Sequence, residues 1–386
     1  MIELLYNLSP QNHEEPPVKP YEFPTAKDPA FLFGCGRFRM EEHLLENCAE
    51  EILRFGRHPL FVCDDTSYAI AFDKVAASLR AVGVEPKVLR HYGFCNREDA
   101  LECAEAGKLD GVDVVLGCGG GVILDFSKLL ADIADAPVVT MPTSSAQCCA
   151  YTPIAPCYTR DGRYISTTHF RREIAMALLD TTILSRQPSR LLAAGALDAM
   201  AKKIEMEFWR NLPGGTSGCG AAQGIAECVS DYIYDVLDGN IDGAIEDLAK
   251  GEPTPRLQNV FFASIVGAGL VSGIAGGSRQ TAIGHRVYYF ERTHRPADAA
   301  RFTHGELVAV GLVMQLAYNG HPEESAKLAA RLHGWGLAAT IGELGFPYDE
   351  EEFEACVEYM RNTKDMKASG PAAEPRLREA LKTIFR

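Results

Sequence analysis

Apolar and polar residues fall into short blocks of two alternating periods along the first half of the chain. Leu60 to Asp64 (LFVCD) is a short apolar run ending in acids, Tyr68 to Val82 repeats at helical spacing, and Pro86 to Leu89 is strand-like again. The alternation continues with a predicted helix near Arg97 to Ala106 and a strand at Val112 to Leu116. A glycine turn, a helix from Leu124 to Ile133 and a strand at Pro137 to Met141 follow. Strands separated by helices of this length predict parallel pairing through right-handed crossovers. Ile154 to Thr159 and Tyr164 to Thr168 flank Arg160-Asp161-Gly162 and predict a hairpin.

After about Asp180 the strand signals vanish. Pro188-Ser189 can start a helix that runs past Asp198 to Trp209, and apolar helical patterns follow at 220–237, 256–272, 302–318, 322–334, 349–361 and 375–385. The expected fold class is α/β + all-α. An N-terminal Rossmann-like parallel-sheet domain over 1–180 would be followed by an all-helical domain over 181–386.

Composition narrows the function classes. A length of 386 residues suits two domains, and 47% hydrophobic with 23% charged residues is ordinary for a globular protein. The net charge of −14 leaves no basic surplus for a nucleic acid or an anionic membrane. No uninterrupted run of 18 apolar residues predicts a membrane span. Met1 to Pro24 is polar and Pro-rich, unlike a secretory signal, and is expected to drape over the first domain. The twelve cysteines include the neighbours Cys148-Cys149 but no CxxC pair, and read as free thiols in a reducing cytoplasm.

Two constellations carry chemistry. Gly117-Cys118-Gly119-Gly120-Gly121 follows a strand and precedes the helix containing Asp125 and Lys128. Glycines there let the backbone approach a pyrophosphate, whose charge the helix N-terminus favours, whereas a merely tight turn needs one or two glycines and not four in five. Gly34-Cys35-Gly36 is a second dinucleotide contact or a simple turn. Asp64 ends a strand where an acid can accept from an adenosine ribose hydroxyl, which favours NAD over NADP, and Asp65 could do the same.

The other constellation is Asp198, His285 and His304. Asp198 lies in an alanine-rich helix, His304 opens His304-Gly305-Glu306 before another apolar helix, and His285 stands about five turns earlier by count. One carboxylate and two imidazoles suit a single divalent ion, Zn²⁺ or Fe²⁺, with a position left open for a substrate oxygen. No general base is evident. Tyr288 or a chain of waters is a candidate proton relay, set against plain packing.

These residues resemble the iron-containing alcohol dehydrogenase superfamily and, within it, the glycerol dehydrogenase and hydroxycarboxylate dehydrogenase branch. The resemblance covers roughly Phe31 to Tyr318. It rests on Gly119-Gly120-Gly121-x-x-x-Asp125-x-x-Lys128, Pro137 to Thr143, Tyr158-Thr159-Arg160-Asp161-Gly162, Leu192-Ala193-Ala194-Gly195-x-x-Asp198-x-x-Ala201-Lys202 and His304-Gly305-Glu306, in family order. It implies the dehydroquinate synthase-like fold, NAD(P) in the cleft, metal ligands at Asp198, His285 and His304, and cofactor contacts at Gly119 to Gly121, Asp125, Thr143, Ser144, Thr152 and Tyr158. A homo-oligomer acting on a small alcohol or 2-oxo acid is expected.

Two departures stand out. The segment that holds the first metal histidine in relatives reads His285-Arg286-Val287-Tyr288-Tyr289-Phe290 here, so the family's second histidine becomes Tyr288. Registering His285 on the first requires a small insertion after Gly276-Gly277, and the other register puts Ala282 there. Cys148 stands where glycerol dehydrogenases carry an aspartate facing substrate hydroxyls, and Cys148 to Pro153 is closer to hydroxycarboxylate dehydrogenases. The expected activity is NAD(P)-linked interconversion of a secondary alcohol, a polyol such as glycerol or a 2-hydroxy acid, with its ketone or 2-oxo acid. The alternatives are a glycerol-1-phosphate dehydrogenase, which Ser278-Arg279 resembles, a dehydroquinate synthase-type lyase, and a non-catalytic nucleotide-binding protein.

Overall fold

The computed structural model describes residues 21–24, 32–212, 220–275 and 279–386. Most of the leader, Phe31, Gly276-Gly277 and Ser278 lie outside the described residues. The described residues form eight strands: β1 (Phe38–Glu41), β2 (Pro59–Cys63), β3 (Lys87–Arg90), β4 (Val114–Gly119), β5 (Val138–Pro142), β6 (Ile154–Tyr158), β7 (Tyr164–His169) and β8 (Met176–Asp180). Six of them make one parallel sheet in the order β3-β2-β4-β5-β8-β1, and β6 and β7 form a separate antiparallel hairpin.

The principal helices are α1 (Asp73–Arg80), α2 (Arg97–Glu105), α3 (Gly121–Ile133), α4 (Ser189–Arg210), α5 (Ala221–Leu248), α6 (Pro255–Ile274), α7 (Ile283–His294), α8 (His304–Asn319), α9 (Pro322–Gly334), α10 (Glu350–Arg361) and α11 (Glu374–Leu381). Among the described residues no strand follows β8. By length and composition α6 could cross a membrane, and 67% of its most apolar stretch is buried inside the protein.

Burial on both faces explains why the central strands are continuous apolar runs. Phe61, Val114, Leu116, Val139 and Leu178 point to one side, against α1. Leu60, Val62, Val115, Val138 and Leu179 point to the other, where they share one core with residues of α3, α4, α5 and α6. A third core lies in the later part of the chain, from Ala193 of α4 to Ile384 just beyond α11.

The strand order reverses beside β2. The chain steps outward from β2 to β3, then returns to place β4 on the other flank of β2. Open α/β sheets bind ligands outside the carboxyl ends of strands at such a reversal. The glycine run ends β4 there, and Asp64 directly follows β2.

Sequence periodicity does not mark β1, β8 or α7. Phe38–Glu41 is too short and charged to stand out, and MALLD in β8 is an apolar run without flanking turn residues. His285 and His304 are not on one helical run. α7 ends at His294 and α8 begins at His304, with the short Pro296–Ala299 turn of helix between them.

Glycines set how closely these helices approach. A Cβ on Gly311 of α8 would fall 2.1 Å from the Gly284 carbonyl oxygen of α7, and one on Gly305 of α8 would fall 2.1 Å from the Ala194 oxygen of α4. At Gly195 of α4 a Cβ would meet the Ser145 oxygen at 1.7 Å. All three neighbours are backbone, which cannot swing aside. We expect Gly311→Ala to force α7 from α8 and lower stability by about 1–3 kcal/mol, measured by chemical denaturation. An unchanged midpoint and slope would show that the contact relaxes without cost.

Candidate metal and dinucleotide site

α4, α7 and α8 meet at Asp198, His285 and His304. His304 is the first residue of α8, held by Thr303 and Glu306 in a reciprocal cap, so its ring projects from a fixed helix start. His285 sits in the first turn of α7 and Asp198 in the middle of α4. Asp198 Oδ1 lies 3.5 Å from His285 Nε2 and 3.3 Å from His304 Nε2, and one donor atom from each residue falls within 4.8 Å of the others.

Asp198 Oδ1 is buried yet has no hydrogen-bond partner. Leaving a buried acceptor unsatisfied costs about 1–3 kcal/mol, and more for a charged group. For ligand bonds of about 2.1 Å a tetrahedral ion separates its ligand atoms by roughly 3.4 Å, close to both observed carboxylate–imidazole distances. The donor set and its spacing therefore fit a divalent ion. Burial works against ionisation of Asp198, but the two histidines and Lys202 hold its carboxyl well below the usual range.

Glu205, missed by sequence reasoning, orients the trio. It lies seven residues beyond Asp198 and so on the same face of α4, and it is fully buried. One of its oxygens accepts the Ala282 and His285 amides, each at 2.8 Å, and the other pairs with His285 Nδ1 at 2.5 Å. That fixes the His285 tautomer and turns Nε2 toward Asp198, the carboxylate–histidine arrangement that supports metal ligands. Burial opposes charging of His285, but Glu205 and Asp198 together outweigh it and raise the imidazole's affinity for a proton. The spacing of seven was visible in the sequence, but an acid in an apolar helix reads equally as a solvated one.

Tyr288, one turn beyond His285, packs its ring edge-on 4.3 Å from the His304 ring. Its hydroxyl is 2.8 Å from that of Tyr158 at the end of β6. The hairpin thus touches the metal-side helices through a pair of phenols. Burial and the neighbouring Tyr288 push the Tyr158 phenol well above its usual range.

The remaining candidates lie around the carboxyl ends of β2, β4 and β5. Gly119 ends β4 opposite Pro142, the Thr143 amide donates to the Gly119 oxygen at 3.1 Å, and Thr143 and Ser144 are half-buried. Gly120 caps α3, and a Cβ there would meet nothing within 4 Å, whereas one on Gly119 would strike Ile123 at 2.8 Å. Gly120 therefore borders open space at a helix N-terminus. Asp64 accepts from Ser67 in a capping box, while Asp65 is engaged by Arg90 and by Tyr92. Of the two acids, Asp64 is thus the one not bound to a cation.

Asp125 does not face that space. It is buried in an ion pair with Lys128 at 2.7 Å, and Lys128 also donates to the Ile154 oxygen at 2.9 Å, tying α3 to the hairpin. Gly34, at φ 122°, brings the chain against Tyr151, and Gly36 bonds to Ile174, so this glycine pair shapes the edge beside β8. Cys148 is half-buried and the Thr152 hydroxyl donates to its carbonyl at 3.5 Å. Burial pushes the Cys148 thiol up to about 11, with smaller influences from Lys202, Asp198 and Lys128. The loop thus lies between the glycine helix and the metal helix.

Comparison with known proteins gives the family. The profile of the family described as iron-containing alcohol dehydrogenase matches residues 35–181. Hydroxycarboxylate dehydrogenase A of Escherichia coli (strain K12) is 31% identical over 253 residues, 65% of this chain and 68% of its own. Glycerol dehydrogenase of Pseudomonas putida is 27% identical over 291 residues, 75% and 78% of the two chains. The crystal structure of glycerol dehydrogenase from Schizosaccharomyces pombe superposes with a TM-score of 0.79 at 23% identity, covering 94% of this chain and 91% of the other. The chain belongs to the iron-containing alcohol dehydrogenase family and is an oxidoreductase of that class. The family implies a nicotinamide dinucleotide and a divalent metal.

The space beside Gly120 gives a clean test of the dinucleotide cradle. The fold tolerates a side chain there, so Gly120→Val should preserve stability and metal content while weakening NAD(H) binding at least tenfold, read by fluorescence titration. Equal titration of variant and wild type would place the pyrophosphate elsewhere.

Proposed function

We propose that the protein is a metal-dependent, NAD(P)-linked oxidoreductase that interconverts a small secondary alcohol, a polyol or a 2-hydroxy acid, with its ketone or 2-oxo acid. The observation that carries this reading is the buried, unpartnered oxygen of Asp198 with an imidazole nitrogen on either side. Asp198, His285 and His304 hold the ion, zinc or iron, and Glu205 keeps His285 in its ligating tautomer. When bound, such an ion polarises a carbonyl oxygen or lowers the pKa of an alcohol.

The protein's own residues do the positioning. Gly119, Gly120 and Gly121 receive the pyrophosphate at the start of α3, with Thr143, Ser144, Thr152 and Tyr158 along the cofactor's path. Asp64 accepts from the adenosine ribose, which favours NAD over NADP. Cys148 borders the substrate, and the acid that would repel an anion is missing at that position. Relatives carry the names glycerol dehydrogenase and hydroxycarboxylate dehydrogenase, and the second suits this loop better. Residues 1–180 thus serve the cofactor and 181–386 the metal and substrate. Mostly buried free thiols suit a reducing, cytoplasmic setting.

His304→Ala tests the reading. The ring is partly exposed, so its loss should leave the fold intact, strip the metal as measured by elemental analysis, and abolish turnover. Full turnover by metal-free protein would overturn it.

Glu205→Gln probes the support beneath the ligand. Loss of the carboxylate should weaken metal affinity roughly 10- to 100-fold at high pH. His285 ligates only when neutral, and Glu205 raises its proton affinity, so in the wild type metal affinity climbs with pH and levels off only above that raised pKa. The variant's climb should shift to lower pH. An unshifted climb, followed by metal titration across pH, would mean that Glu205 does not act through His285.

A further inference from the structure

α7 carries a charged group that the metal and the dinucleotide leave unused. Arg292 lies seven residues beyond His285 and four beyond Tyr288, so the three share one face of the helix. It is only 6% exposed, and its Nε has no hydrogen-bond partner. The other arginines of this stretch are closed by carboxylates: Arg286 by Asp365, and Arg295 by Glu291 at 2.7 Å. Among the described residues no carboxylate is within 4.0 Å of Arg292.

The guanidinium instead sits 5.3 Å from the Phe94 ring and 5.1 Å from the Tyr158 ring, beside the Tyr288 hydroxyl. These are the groups that line the seam between the hairpin and α7. Tyr288 is itself the ring packed against His304. One side chain therefore separates a buried, unpaired cation from the candidate metal site. Aromatic faces offset only part of the desolvation of a buried cation. The polypeptide supplies the rest of the neighbourhood but not the anion.

We propose that Arg292 determines substrate specificity by binding an anionic group, a carboxylate or a phosphate, at the end of the substrate remote from the reacting carbon. This rests on the oxidoreductase reading above. A guanidinium presents a planar fork that matches either anion, which an ammonium does not. Helical side chains lean toward the N-terminus, so the head of Arg292 is carried back over the turn of Tyr288. Seven residues span about 10 Å of helix axis, which sets the scale of the separation between the two helix positions. A substrate of several carbons reaches across it, and a two-carbon acid does not.

The test uses the metal-loaded enzyme and its Arg292→Gln and Arg292→Lys variants, with 2-oxoglutarate, dihydroxyacetone phosphate and uncharged dihydroxyacetone as substrates. Arg292→Gln should raise KM for the anionic substrate roughly 10- to 100-fold while leaving KM for dihydroxyacetone and for NADH within threefold. Arg292→Lys should recover part of the loss. Which of the two anions the wild type prefers assigns carboxylate or phosphate. An equal rise on charged and neutral substrates, a rise confined to NADH, or a wild type that turns over only the neutral substrate would overturn the proposal.

Should the variants not fold, inhibition of wild-type dihydroxyacetone reduction by glutarate and by its uncharged diamide decides. Stronger inhibition by glutarate is expected, and equal inhibition overturns the proposal. Absence of turnover with every substrate, under zinc or iron and either dinucleotide, would instead remove the oxidoreductase reading and this inference with it.

Discussion

The site depends on backbone meeting backbone. α7 approaches α8 through Gly284 and Gly311, α8 approaches α4 through Gly305, and the loop after β5 approaches α4 through Gly195. A Cβ at Gly311, Gly305 or Gly195 would collide with backbone of the neighbouring element, which would have to shift to admit it. With the helices this close, Asp198, His285 and His304 converge without long side chains searching for one another. Contacts of this kind lose no side-chain entropy on folding, and they hold ligands on rigid elements rather than on loops.

The polar contacts build on that packing in layers. Glu205 is held by two amides of the segment it orients, so the carboxylate and the start of α7 fix each other. Tyr288 then extends the arrangement outward to Tyr158 and so to the hairpin. The hairpin is tied in turn to α3 by Lys128. The glycine cradle and the metal side are therefore linked by a continuous set of contacts through elements far apart in the chain.

Much of this was legible in the residues. The parallel sheet followed from short apolar runs between helices of the right length, and the reversal at β2 then put Asp64 and the glycine run beside one crevice. His304 stood out as the head of His304-Gly305-Glu306 before an apolar helix, whereas the Thr303–Glu306 cap that fixes it shows only in the structure. What stayed hidden depends on tertiary contact. Glu205 is one acid among many until the amides of Ala282 and His285 are seen on it. α7 mixes aromatic, charged and β-branched residues, and its helicity comes from burial against α8 more than from propensity. Asp125 sits in a family motif, and its i,i+3 spacing permits the pair with Lys128, but the burial of that pair beneath the hairpin shows only in the fold.

That burial constrains how the chain can change. Removing either Asp125 or Lys128 alone would leave the other charge buried and unpaired, at a cost of about 3–5 kcal/mol, whereas replacing both by apolar residues of similar size is often nearly neutral. The two positions are therefore coupled: the stable sequences lie at both-charged or both-apolar, with a deep trough between them. An apolar pair, however, would release the Ile154 carbonyl and with it the entry of β6. The ion pair persists because of what Lys128 does for the hairpin, and substitution there must pass through a double change that also finds the strand a new anchor.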